Sequence, residues 1–155
     1  MAVLAGAQVV DAIASRIRGA SVTGADDRVY TSRAWPLKVL PAWRVTAENE
    51  QIELLTMHGP GLEQHTLLIA LNGIAEAVQD LDDVLNELAC AALEAIFDEA
   101  PPPDALAAMA SNLSSLSAVS IGRDLTAADQ AKLGEVTVLL QAVFQTLSNE
   151  PRVLL

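Results

Sequence analysis

His58 and His65 are the two histidines of the chain, seven positions apart across a His58-Gly59-Pro60-Gly61 turn, with Glu63 between them. A hairpin closed by that turn would bring two imidazoles and a carboxylate together, the donor types of a metal site or of acid–base chemistry. The spacing matches no recognised zinc pattern. Cys90 is the single cysteine, so one chain holds neither a cysteine-based metal cluster nor an internal disulfide. It lies among alanines in a helical pattern, where a small buried hydrophobe is expected rather than a reactive thiolate. Asp82 and Asp83 pair two carboxylates, but neighbours on a helix point about 100° apart, which suits capping and dipole roles better than a general acid with its base. No nucleophile elbow or dinucleotide fingerprint occurs, and Gly19 and Gly24 lack the Lys-Ser/Thr of a phosphate loop. These residue types predict no enzyme and no cofactor.

Contact chemistry is better represented. Trp35 lies between Arg33 and Pro36, Trp43 follows Pro41, and the chain ends on Val153, Leu154 and Leu155. Tryptophan and arginine dominate interface hot spots, so Arg28, Arg33, Trp35, Trp43, Arg44, Leu154 and Leu155 are candidate subunit or partner contacts. The other reading is that both tryptophans cap the core of their own domain and the tail folds back.

The elements that must carry these residues are set by periodicity. Leu4, Val9, Val10, Ile13 and Ile17 recur at three- and four-residue spacing and predict a helix over 5–18, stopped by Gly19. Residues 28–32 read as a short strand, and Pro36 and Pro41 exclude a central strand between them. Alternation predicts strands over 42–48, 52–57 and 63–72, joined by short turns as an antiparallel meander. Asp80 is the expected N-cap of the main helix, whose stripe of Leu81, Leu85, Leu88, Ala92 and Ile96 ends before three prolines at 101–103. A short helix over 104–110, a strand over 116–122, a helical turn over 126–133 and a long strand over 135–147 complete the chain. The expected fold class is α+β: one domain, a mainly antiparallel sheet of four to six strands with two main helices packed on it.

Length and composition agree. The 155 residues are 52% hydrophobic and 19% charged, enough for one core and too apolar for disorder. The longest charge-free run, 105–122, is diluted by serines, and 64–75 is too short to span a bilayer as a helix, so no membrane association is expected. The first twenty residues have no basic residue ahead of their apolar stretch and make a poor signal peptide; a soluble cytosolic protein is expected. Residues 1–44 carry six of nine basic side chains against three acids, a balance of +3, whereas 45–155 carry three against seventeen, a balance of −14. Such a field repels nucleic acid. A positive segment beside a negative remainder suits a head-to-tail ring, one whose assembly weakens with salt, if the acids are not merely a solubilising surface.

In order and loose motifs the chain resembles the tail-terminator (tail-completion) family of long-tailed bacteriophages. The resemblance rests on the helix ending Ile17-Arg18, the segment from Arg28 through Trp35-Pro36-Leu37, and Leu40-Pro41-Ala42-Trp43-Arg44-Val45 leading to acids from Glu48 to Glu53. The strand through His65, the Asp80 helix and the closing strand from Glu135 extend it over about residues 7–148. It implies a virion protein, assembled in the host cytoplasm as a hexameric ring. That ring caps the tail tube, ends polymerisation of the tube protein and meets the head–tail connector, with DNA only as passing cargo. Glu48, Glu50, Glu53, Asp82 and Asp83 are then candidates for an acidic lumen or complementary face. A head–tail joining adaptor of the same assembly and, in another class, a small α+β ligand-binding domain or enzyme using His58 and His65 remain the alternatives.

Overall fold

A computed structural model describes residues 3–20, 28–31, 40–56, 59–77, 80–128 and 131–155, with the side chains of 126–128 and 131–132 left aside. Helix α1 (Ala5–Gly19) leads to β1 (Val29–Tyr30), β2 (Ala42–Leu54) and β3 (Leu62–Ala77). Helix α2 (Leu81–Ile96) and α3 (Ala105–Met109) come next, then a 3-10 turn (Ala110–Asn112), β4 (Leu113–Ala128) and β5 (Ala131–Leu147). The five strands form one sheet in the order β1-β2-β3-β5-β4. The fold is a single α+β domain, as its patterning predicts.

Alternation decides which face of the sheet is covered. Trp43, Val45, Leu67, Ile69, Leu71, Val136, Val138, Leu140, Ala142 and Phe144 share one face and pack with Val9, Ile13, Ile17, Leu85, Leu88 and Ala92 of the two long helices. Their neighbours Leu68, Asn72, Thr137, Leu139, Gln141 and Val143 stand on the opposite face, which carries no helix among the described residues. Two close approaches seat this core. A Cβ on Gly73 would come within 2.9 Å of the Trp43 ring, and one on Gly134 within 2.9 Å of Leu85.

Several local expectations change. The predicted strands 42–48 and 52–57 are one strand, β2, bulged between Ala47 and Asn49. Its polar middle needs no buried face at a sheet edge, because β3 satisfies the backbone. Met57 lies outside the described residues. The first strand pairs parallel with β2, Val29 against Trp43, so the sheet is not a pure meander. In place of a helical turn over 126–133, Thr126 pairs with Leu133 and Ala128 with Ala131 as the end of the β4–β5 hairpin. The long β5 offers a ladder partner along its whole length, and that outweighs a local capping signal. The same ladder extends β4 well beyond the expected 116–122. Asp80 does sit at the N-cap of α2, but with φ 56° and no side-chain cap hydrogen bond. Cys90 is exposed rather than buried; its Sγ lies 3.4 Å from Glu94 Oε1, and that carboxylate pushes the thiol up from its ordinary value.

Candidate functional site

His65 is the one sequence-singled imidazole among the described residues, and β3 turns it toward the helix-covered side at the sheet end. The ring is 7% exposed and stacks on Phe144, its cross-strand partner, with centroids 4.9 Å apart and planes 9° from parallel. Nδ1 lies 3.1 Å from Glu50 Oε1 and Nε2 lies 2.8 Å from Thr146 Oγ1. A carboxylate only accepts, so Nδ1 carries the proton toward Glu50, while Nε2 and the Thr146 hydroxyl share the second hydrogen bond. Glu63 Oε2 stands 3.6 Å from Nε2, and Glu63 Oε1 lies 2.8 Å from the Ser148 hydroxyl. Adjacent strands β2, β3 and β5 supply one member each, and the β2 bulge sets the register that opposes Glu50 to Leu67.

Carboxylate, imidazole and hydroxyl in line is the order of a hydrolytic triad. Here the hydroxyl is closed off: Thr146 is 0% exposed. The arrangement binds three strands with a satisfied buried polar network. Among the described residues no group of three His, Cys, Asp or Glu side chains is placed to hold a metal ion, and His58 lies outside them.

The predicted contact residues scatter. Trp43, expected at an interface, is 0% exposed and fills the core against Gly73 and Val136. The other reading of this residue, as core, is the one its position bears out. Arg33 and Trp35 lie outside the described residues. Arg28 Nε donates to Pro41 O at 3.0 Å, holding the start of β1 to the start of β2. Arg44 points to the helix-free face, opposite Asn72. The tail folds back: Leu155 N–H donates to Gln145 O at 3.0 Å and Ala5 N–H to Pro151 O at 3.0 Å. Leu154 packs on the core and so is not the free contact expected of it, while Leu155 remains exposed.

The five acids do not form one group. Glu50 belongs to the His65 network; Glu53, opposite Gln64, is on the helix-free face; Asp82 and Asp83 stand exposed in the first turn of α2, on the covered side. Glu48 accepts from the Thr46 hydroxyl at 3.0 Å. By register the helix-free face also carries Glu76, Asp124 and Glu135, with Asp124 and Glu135 cross-strand partners. Arg44 is its one basic side chain among the described residues, and the rest is Ser, Thr, Asn, Gln and aliphatic.

One ion pair was not legible in the sequence. Arg16, 3% exposed, makes a bidentate contact with Asp104, Nε to Oδ2 and Nη2 to Oδ1, the latter at 2.7 Å, and donates to Ala95 O at 3.1 Å. Asp104 also accepts from Ala107 N–H at 2.9 Å as the N-cap of α3. The guanidinium lowers the Asp104 pKa to about 2. Arg16 reads in the sequence as a dipole cation in the last turn of α1; its partner is 88 positions away.

No family model matches the chain, and no curated protein does. Among solved structures, the chain is similar over 92% of its length to a chain of the virion of a native gene transfer agent (GTA) particle, itself 92% covered, at 13% identity and a TM-score of 0.48. A match at that identity and score carries no functional inference.

Proposed function

We propose that the chain is a structural subunit of a phage-type tail, closing with other copies into a ring that caps the tail tube and joins it to the head connector. The observation that carries the reading is the helix-free face of the sheet. By register it carries Ser, Thr, Asn, Gln and aliphatic side chains, with Glu53, Glu76, Asp124 and Glu135 against a single base, Arg44, among the described residues. A wall past which DNA slides must not bind phosphate, and this composition suits it. The element order agrees with the resemblance to tail terminators. Hydrolysis is the weaker reading, because the hydroxyl on His65 is sealed by its own fold.

Light scattering with negative-stain imaging of the same peak tests the proposal. The expected result is a closed ring near six times the 16.3 kDa chain mass. A chain that stays monomeric at millimolar concentration overturns it. Should His65→Ala abolish a defined turnover while a ring still forms, the enzyme reading replaces it.

A further inference from the structure

We infer that copies pair end to end through one apolar end of the domain, where β2 stops, β3 starts and the tail folds back beside α1. The contact is additional to the ring proposed above and does not depend on it. Val3, Leu4, Ile52, Leu54, Leu55 and Val153 stand at that end, each 39–58% exposed. They come from three parts of the chain, and hydrogen bonds hold those parts together. Gln8 Nε2 donates to Val3 O at 3.1 Å and to Arg152 O at 2.8 Å, which sets the first residues beside the tail. The tail in turn meets the β2–β3 connection. Ser148 N–H donates to Gly61 O at 2.9 Å, and Leu55 N–H donates to Leu62 O at 2.7 Å. A Cβ on Gly61 would touch both Leu54 and the Ser148 hydroxyl.

The helices leave this end uncovered. Alternation puts Glu50, Ile52 and Leu54 on the helix-bearing side of the sheet, with Leu67, His65 and Glu63. Helix α1, however, begins at Ala5, and Gly6 already lies over Glu50, where a Cβ would come within 2.9 Å of Oε1. Strand β2 runs on for four residues beyond Glu50, so Ile52 and Leu54 overhang the first turn of the helix. Isoleucine and leucine at alternate positions are what a covered face carries, and the domain itself supplies no cover past Glu50.

Size and charge point to a second copy as the cover. The exposed parts of these six side chains amount to roughly 500 Å², the greater part of the ~800 Å² that each partner gives to a stable interface. Patches of that size mark contact surfaces. The charges beside the patch answer one another in a twofold pair. Glu150 and Arg152 are two positions apart in the tail turn, both exposed. In an isologous contact residue i meets j and j meets i, so Arg152 of each copy faces Glu150 of the other. In a ring whose strands run along its axis, the same contact stacks two rings face to face.

The test is mass against concentration, by light scattering and sedimentation. The wild-type mass is expected to double as concentration rises, from one ring to two, with images showing rings of twice the height. Leu54→Lys on β2 and Leu4→Asp before α1, the latter a better N-cap than leucine, are each expected to raise the doubling concentration at least tenfold. Arg152→Glu is expected to raise it too, and Glu150→Arg added to that variant to restore it. A mass that never doubles overturns the pairing and leaves the ring reading in place. A monomer that doubles only to a dimer, and fails to in Leu54→Lys, bears out the pairing and removes the ring. A doubling that survives both apolar substitutions overturns the pairing in favour of another surface, the exposed row of Val119 and Ile121 on β4 being the next. Should the variants fail circular dichroism, hydrogen exchange of the wild type at low and high concentration makes the same test. Slower exchange at 3–4, 54–55 and 152–153 is expected at high concentration, and unchanged exchange there overturns the pairing.

Discussion

Both ring nitrogens of His65 are spoken for, and Thr146 does its part with a hydroxyl that no solvent reaches. Thr146→Val keeps the volume and removes the hydroxyl, leaving Nε2 of a buried imidazole without its hydrogen-bond partner. The expected cost is about 1–3 kcal/mol, read as a lower denaturation midpoint at unchanged slope. Gly73 sits under the Trp43 ring, so Gly73→Ala is expected to destabilise by about 1–3 kcal/mol through overpacking, measured the same way. Neither role is visible in the local sequence. His65 reads as one polar position in an apolar alternation, and its partners Glu50 and Thr146 lie 15 and 81 positions away. Trp43 alternates with Arg44 and Thr46, yet its residue type made it an interface candidate too, and only its packing over Gly73 assigns it to the core.

Among the elements, α3 is too short to hold itself. Five residues nucleate no helix, so it depends on the Asp104 cap and on the clamp from Arg16 of α1. Asp104→Ala removes both and leaves a buried guanidinium without its carboxylate; about 3 kcal/mol of destabilisation is expected in chemical denaturation. The clamp also sets a pH dependence. The carboxyl titrates near 3.8 when unpaired and at about 2 in the fold, so the folded state binds fewer protons in that interval. Its contribution is complete above the unpaired value and is lost as pH falls through the folded one. Stability of the wild type should therefore drop between about pH 4 and pH 2 more steeply than that of Asp104→Asn, compared by thermal unfolding across the interval. Both long helices were legible from spacing. The hairpin β4–β5 was not, because its signal is the partnership of two long strands rather than any turn residue, and 126–133 read locally as a helical turn.

At the scale of the whole molecule, two kinds of joint predict opposite responses to salt. A ring held by the positive segment 1–44 against the acidic remainder weakens as exposed charges are screened. A ring held by apolar contacts persists in molar salt. Sedimentation of the assembled protein across a salt series separates them, and persistence is the expected outcome. Arg28, counted in the sequence among the candidate contacts, is already engaged with Pro41 inside its own chain, which favours the same result.

Taken by itself, the sequence determined the α+β class and the two amphipathic helices. Those are properties of period and polarity within a dozen residues, and one period survives any packing of its neighbours. The tertiary structure alone decided the joining of β2 across its polar middle, the strand β1 parallel to it, the Arg16–Asp104 clamp and the His65 network. Each depends on groups brought together from distant parts of the chain, and a hydrogen bond or ion pair between them leaves no trace in local composition.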